Sequence, residues 1–332
     1  MIITLKSSIS NQQALNLAQE NSAFLVKDDG KQVLITSSSL KDVPDNLKEY
    51  TDTFCSMGND MQLSSRKYRT KTREVSIGNI QIGGDTKNTV VIGGPCSVES
   101  EDQIRAASQV LKDLGLKTLR GGCYKPRTSP YSFQGLGIEG LLLLQKMKEE
   151  FGHTIITEAR DASQIDEIIE YTDVIQVGAK AMYDQGILRA CAKTNKTVLI
   201  KRGFGTTLQE FVQAAEFVMS GGNLNVVLCE RGIRTFETGT RFTLDLCGVA
   251  WLKEHCNLPV VLDPSHAMGY AYGVPSLTKA CVAMGVDGLL IETHPTPSLA
   301  KSDASQQLDF DTFKNLIHEL KPLATCVGYH IV

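Results

Sequence analysis

From Thr89 onward, short apolar runs alternate with longer stretches in which apolar residues recur at i, i+3 and i+4. The runs Val90–Gly94, Thr118–Gly121, Thr154–Glu158, Val174–Gly178, Val198–Lys201, Val226–Cys229, Val260–Leu262 and Gly288–Ile291 predict strands. Between them, patterns such as Asp102–Leu114, Gly140–Phe151, Leu208–Ser220, Phe242–His255, Leu277–Met284 and Phe310–Leu320 predict helices. The strands are continuously apolar, as expected when helices cover one side and the other packs inside a closed sheet. Eight strands alternating with eight helices predict a (β/α)8 TIM barrel over an open doubly wound sheet, which has about five to seven strands.

Residues 1–70 follow a different pattern. Met1–Leu5 predicts a strand, Asn11–Gln19 a helix, and Ala23–Lys27 with Gln32–Thr36 a hairpin across Asp28-Asp29-Gly30, whose Asp-Gly pair is a turn signal. A helix at Asp45–Tyr50 and a strand near Met61–Leu63 complete a small α+β domain that carries no nucleophile, metal cluster or phosphate loop. Regulation or oligomerisation suits it better than catalysis. Leu63–Glu74, with Arg66, Lys67, Arg69, Lys71 and Arg73, reads as an exposed linker. Val75–Ile82 alternates across Gly78-Asn79 and predicts a β-hairpin that caps the bottom of the barrel. The expected domains are therefore 1–70 and 71–332.

Composition narrows the classes. A net charge of -3 argues against nucleic acid held by bulk electrostatics. No apolar run approaches the roughly 20 residues of a membrane span. The opening MIITLKSSISNQQ lacks a charged stretch followed by an apolar one, so a cytoplasmic location is expected, with no membrane partner. Nine cysteines without CxxC spacing read as reduced thiols rather than a disulfide framework.

In a (β/α)8 barrel the active site lies at the C-terminal ends of the strands. Here those ends read GPCSVES, RGGCYKPRTSP, TEARD, GAKAMYD, KRGF, CERGIRTFE, DPSHAMG and ETHP. They place Arg120, Lys125, Arg127, Lys180, Lys201, Arg202, Arg231 and Arg234 on one rim. Like charges repel, so this convergence points to an anionic ligand with more than one phosphate or carboxylate. Cys96, His266, Glu292 and Asp303 lie on the same rim, after strands that become neighbours once the barrel closes. Taken singly each is an ordinary residue, but a thiol, an imidazole and two carboxylates together suit a borderline divalent ion such as Mn, Fe, Co or Zn. His294 is an alternative ligand or a partner of one. In RGGCYKPRTSP, glycines permit close backbone approach and prolines stiffen a loop carrying Arg127, Thr128 and Ser129.

The strings GPCSVES, RGGCYKPRTSPYSFQGLG, KRG, CERGIRTFE, DPSHA and E-x-H-P, in this order, resemble the 3-deoxy-7-phosphoheptulonate synthase (DAHP synthase) family, the first enzymes of the shikimate pathway. The resemblance covers residues 75–320. It implies condensation of phosphoenolpyruvate with erythrose 4-phosphate and release of phosphate. It further implies that Cys96, His266, Glu292 and Asp303 bind the metal, with Cys96, His266 and Lys125 at the reacting centre. Arg120, Lys125 and Lys201 would hold the phosphoenolpyruvate carboxylate, and Lys180, Lys201 and Arg231 its phosphate. Arg127, Thr128 and Ser129 would take the aldose phosphate. Glu158 is a candidate for positioning water. The first 70 residues resemble a ferredoxin-like, ACT-like regulatory domain, which implies an aromatic amino acid effector, and the family implies a homotetramer.

One position departs from the family pattern. Gly178-Ala179-Lys180 stands where the family has Gly-Ala-Arg, which keeps the charge and loses the bidentate fork. Arg160, on the neighbouring strand end, is a candidate to compensate. Two rival functions follow from the same residues. A 3-deoxy-octulosonate 8-phosphate synthase would use arabinose 5-phosphate, but KPRTS in place of that relative's Lys-Ala-Asn-Arg-Ser pattern favours the four-carbon aldose. A non-catalytic regulatory barrel is disfavoured by the complete set of candidate metal ligands.

Overall fold

The computed structural model of the chain describes residues 1–125, 129 and 131–332. It opens with four strands, β1 (Ile2–Leu5), β2 (Phe24–Asp28), β3 (Lys31–Ile35) and β4 (Thr51–Cys55). They pair antiparallel in the order β2-β3-β1-β4, with helix Asn11–Glu20 between β1 and β2 and helix Asp45–Lys48 between β3 and β4. Ser10 and Gln13 form a capping box that starts the first helix. Its Ala14, Leu17 and Ala18 pack with Met1, Ile3, Leu5, Leu34 and Leu47 in a core of their own.

Two expectations fail here. The fourth strand is Thr51–Cys55, whereas Met61–Leu63 is irregular. The backbone N–H groups of Gln62, Leu63 and Ser64 donate to the carboxylate of Glu216, at 2.7, 3.2 and 2.8 Å, so they are not available to a sheet ladder. Nor is Leu63–Glu74 an exposed linker. Arg73 is buried in a bidentate pair with Asp28, at 2.9 and 2.8 Å, and Tyr68 donates to the same carboxylate. Burial alone would raise the pKa of Asp28, but the Arg73 guanidinium outweighs it and holds the carboxyl below its usual value. Arg66 donates to the Lys253 carbonyl at 2.7 Å, fastening the segment to the barrel.

The hairpin β5 (Glu74–Ile77) and β6 (Ile80–Gly83) follows. Its Val75, Ile77, Ile80 and Ile82 pack with Val90, Ile156, Leu199, Val227 and Leu290 inside the barrel, which makes it the expected plug. The barrel strands are β7 (Asn88–Gly94), β8 (Thr118–Arg120), β9 (Thr154–Ala159), β10 (Val174–Val177), β11 (Thr197–Lys201), β12 (Val226–Glu230), β13 (Val260–Leu262) and β14 (Gly288–Glu292). Each pairs in parallel with the next, and β14 closes on β7 with Gly288 opposite Val90 and Glu292 opposite Gly94. A short β15 (His330–Ile331) adds to the beginning of β7. Helices pack outside through residues such as Leu111, Leu144, Phe211, Leu252 and Phe313. All nine cysteines are free thiols, and six are buried. No described helix is long and apolar enough to cross a membrane.

Glu216, on helix Leu208–Ser220, also accepts from the Ser64 hydroxyl at 2.5 Å, so one carboxylate gathers four donors where residues 62–64 meet the barrel. Replacing Glu216 by Ala leaves these donors without their acceptor and is expected to cost about 2–4 kcal/mol. Hydrogen exchange should show lost protection across residues 1–64 with the barrel strands unchanged. Equal loss throughout the barrel would contradict a local latch.

Candidate active site

The C-terminal ends of the barrel strands surround a cavity of about 330 Å3 lined by Lys125, Glu158, Lys180, Lys201, Arg231, Arg234, Arg241, His266 and Asp303, with Phe204 and Phe242 on its wall. Gly94, at φ +135°, ends β7; a Cβ there would lie 2.2 Å from the Arg120 carbonyl. The chain therefore turns tightly into Pro95 and Cys96. Asp263 follows β13 and caps helix Pro264–Met268 by accepting from the His266 N–H at 3.0 Å, which fixes where the imidazole starts. Glu292 is the last residue of β14. Asp303 follows in a loop, in the left-handed region at φ +47°, a conformation that Asp tolerates better than most residues.

These elements bring the four candidate ligands together. Cys96 Sγ and one oxygen each of Glu292 and Asp303 lie within 4.8 Å of one another, with Sγ 3.3 Å from Asp303 Oδ2. His266 Nε2 is 3.5 Å from Glu292 Oε1 and 3.8 Å from Asp303 Oδ2. Metal–ligand bonds of about 2.0–2.3 Å in tetrahedral directions separate ligand atoms by roughly 3.4 Å, so this spacing fits one divalent ion. Protonation states agree with that fit. Burial, reinforced by Glu292, pushes the Cys96 thiol up to about 12 despite the nearby Lys125, and a bound metal ion is what would make it a thiolate at neutral pH. Burial also lowers the pKa of His266, leaving the neutral imidazole a ligand needs. Burial opposes the charge of Glu292 and Asp303, but His266, which is protonated in the acid range where carboxyls titrate, together with Arg120 beside Glu292 and Arg241 beside Asp303, holds both below their usual values, in the ligand form.

The next layer orients these groups. His266 Nδ1 lies 2.8 Å from Asp263 Oδ2, which Lys201 Nζ also approaches at 2.6 Å. Gln306 donates to Glu292 Oε2 at 2.6 Å and accepts from Arg241 at 2.6 Å, while Arg241 lies 3.4 Å from Asp303 Oδ1. Lys125 Nζ donates to Cys96 Sγ at 3.1 Å and to its carbonyl at 3.2 Å. Burial works against the Lys125 charge, but Cys96 and Glu158 outweigh it and keep its pKa above that of an ordinary lysine. Arg120 is buried, paired with Glu292 at 2.9 Å and bonded to the Pro95 carbonyl. Glu158 accepts from Gln176 at 2.8 Å; a Cβ on Gly178 would fall 2.5 Å from its Oε1, so the glycine leaves the carboxylate its space.

Not every expected residue joins the cavity. Arg202 is turned aside into Glu230 and Asp245, at 2.9 and 2.8 Å, because these two carboxylates neutralise it in the wall. His294 sits by Glu99 at 3.6 Å and accepts from the Thr296 N–H, away from the ligand cluster. Arg160 is exposed and is not among the lining residues, so the compensation expected of it for Lys180 finds no support. Ser129 is half-buried with its hydroxyl accepting from the Tyr131 N–H at 3.3 Å, and Arg127 and Thr128 lie outside the described residues. Sequence reasoning passed over Arg241, Asp263 and Gln306. Asp263 was visible as the residue ahead of Pro264 in DPSHA, a helix-capping signal; Arg241 and Gln306 carried no local signal.

The model of the DAHP synthetase I family matches residues 60–326. The chain belongs to this family. It is 42% identical over 270 residues to phospho-2-dehydro-3-deoxyheptonate aldolase of Thermotoga maritima, spanning 81% of this chain and 79% of the relative. It is 30% identical over 264 residues to 2-dehydro-3-deoxyphosphooctonate aldolase of a Bradyrhizobium species, spanning 74% of this chain and 91% of that one. The crystal structure of the Thermotoga maritima DAHP synthase superposes with a TM-score of 0.80 at 36% identity, covering 100% of this chain and 99% of that chain. A truncated form of the same enzyme gives 0.76 at 38% identity, covering 81% of this chain and 98% of that one. Within this family's barrel, Gln306 is expected to act through Glu292. Gln306→Leu should weaken divalent-ion binding about 10- to 100-fold by calorimetry. Unchanged affinity would mean that Glu292 needs no such support.

Proposed function

We propose that the chain condenses phosphoenolpyruvate with erythrose 4-phosphate and water to give 3-deoxy-7-phosphoheptulonate and inorganic phosphate, the first step towards chorismate and the aromatic amino acids. The observation that carries this reading is the convergence of a thiol, an imidazole and two carboxylates beside Lys125, at the edge of a cavity lined with cations. Family membership supports it. A divalent ion held by Cys96, His266, Glu292 and Asp303 would supply Lewis acidity to the aldehyde oxygen.

The protein's own groups account for the rest. Arg120, Lys125 and Lys201 bind the carboxylate of phosphoenolpyruvate, and Lys180, Lys201 and Arg231 its phosphate, so that its C3 faces the aldehyde. Arg127, Thr128 and Ser129 take the phosphate of the aldose. As the C–C bond forms, Lys125 gives its proton to the aldehyde oxygen, which becomes a hydroxyl. The positive character left at C2 is quenched by water, positioned by Glu158, which also receives the proton that the water loses. In the resulting hemiketal phosphate the C2 hydroxyl passes its proton to the departing phosphate as its oxygen forms the ketone carbonyl, the C–O bond to phosphate breaks, and phosphate leaves among cations that stabilise its charge.

The same proposal assigns residues 1–70 to a ferredoxin-like regulatory domain responding to an aromatic amino acid, and residues 71–332 to the catalytic barrel, in a cytoplasmic homotetramer. Its support is the strand–helix–strand–strand–helix–strand order with sheet order β2-β3-β1-β4. One experiment tests the whole reading: phosphate release from phosphoenolpyruvate with erythrose 4-phosphate or arabinose 5-phosphate, with and without each aromatic amino acid. The reading predicts turnover with the four-carbon aldose, loss on chelation, return with added divalent ion, and at least a 10³-fold loss in Cys96→Ala, on the order expected when a metal ligand goes. A preference for arabinose 5-phosphate would reverse the substrate assignment. Indifference to every aromatic amino acid would remove the regulatory one.

A further inference from the structure

Apart from Lys125, which is bonded to Cys96, the cations of the cavity fall into two groups. Lys201 is paired with Asp263, Arg241 with Asp303, and Arg120, just beneath, with Glu292. Lys180, Arg231 and Arg234 line the same cavity, and none of them has an ion-pair partner among the described residues. Arg231 is buried, and its Nη1 has no hydrogen-bond partner among the described residues. An unpaired buried cation is costly unless an anion arrives to meet it.

Aromatic rings hold the two unpaired guanidinium groups. Arg231 lies 4.3 Å from the centroid of Phe242, Phe242 stacks on Phe204 at 5.4 Å, and Arg234 lies 4.9 Å from the centroid of Phe204. The backbone repeats the arrangement, since the Arg234 N–H donates to the Phe204 carbonyl at 2.7 Å. The loop after β12 is thus stitched to the loop after β11, the strand that lies between β10, which precedes Lys180, and β12, which precedes Arg231. A guanidinium laid on a ring keeps its N–H edge free for an oxyanion and surrenders little further freedom on binding.

We infer that Arg234 is an additional phosphate-binding residue, held by Phe204 to grip the phosphate of phosphoenolpyruvate together with Lys180 and Arg231. This rests on the proposed function for the identity of the ligand. It also accounts for Lys180: the planar fork absent at that position is supplied from the other side of the β11 loop. Arg234 follows β12, whereas the loop carrying Ser129 follows β8, four strands away round the barrel.

Calorimetry on the full chain tests this without turnover, using phosphoenolpyruvate, inorganic phosphate and erythrose 4-phosphate as separate probes. Arg234→Gln should weaken binding of phosphoenolpyruvate and inorganic phosphate by about 10- to 100-fold, the range for one charge-assisted hydrogen-bonding partner, and leave erythrose 4-phosphate within about twofold. Arg234→Lys should recover part of the loss, and Phe204→Leu should reproduce part of it with Arg234 intact. Unchanged phosphoenolpyruvate and phosphate binding in a folded Arg234→Gln protein overturns the inference, as does a loss confined to erythrose 4-phosphate. If the wild type binds phosphate but forms no product from the two substrates, the proposed reaction fails, while the phosphate titrations still decide the role of Arg234.

Discussion

The pairing of β14 with β7 is the constraint on which the site depends. Glu292 and Cys96 are almost two hundred residues apart in the chain, yet closure sets Glu292 opposite Gly94, two residues before Cys96. Once that register is fixed, neighbouring strands β13 and β8 deliver Asp263 with His266 and Arg120 to the same rim. A slip of one residue would turn Glu292 from one face of the strand to the other and dismantle the ligand cluster. The β5–β6 plug supports closure from the opposite end by filling the interior with Val75, Ile77, Ile80 and Ile82.

Closure concentrates charge, and the structure separates it. Around the ligand cluster, Arg120 and Lys201 each meet a carboxylate, Lys125 is bonded to Cys96, and each carboxylate is oriented by a neighbour: Gln306 on Glu292, Arg241 on Asp303, His266 and Lys201 on Asp263. Charges so arranged neutralise one another before any ligand binds, which is the condition for burying them. Across the cavity, Lys180, Arg231 and Arg234 have no such counterparts among the described residues, which leaves their charge open to an anion. One half gathers candidate ligands for a cation, and the other gathers cations without counter-ions. The net charge of -3 averages over both and reveals neither.

What the sequence disclosed follows from the range of the interactions involved. The eight barrel strands were legible because each is a continuous apolar run buried on both sides. Cys96, His266, Glu292 and Lys125 were legible because strand ends are where a barrel collects chemistry. Arg73 was not: its buried partner Asp28 read as a turn residue, and nothing local joins positions 45 residues apart. The false strand at Met61–Leu63 has the same origin, since the acceptor for its N–H groups is Glu216, on a distant helix. Arg241 and Gln306 sit in long loops whose folding back over the rim has no periodicity to betray it. Arg202 was misplaced because an arginine on a strand end looks the same whether it faces the cavity or a carboxylate in the wall.

The central claim is that barrel closure builds a single divalent-ion site from Cys96, His266, Glu292 and Asp303. X-ray absorption on protein loaded with one equivalent of zinc tests it directly. The account predicts a first shell with one sulfur at about 2.3 Å and nitrogen or oxygen ligands at about 2.0–2.2 Å, with the sulfur contribution lost in Cys96→Ala. A first shell without sulfur, or one with two or more sulfurs, would contradict it.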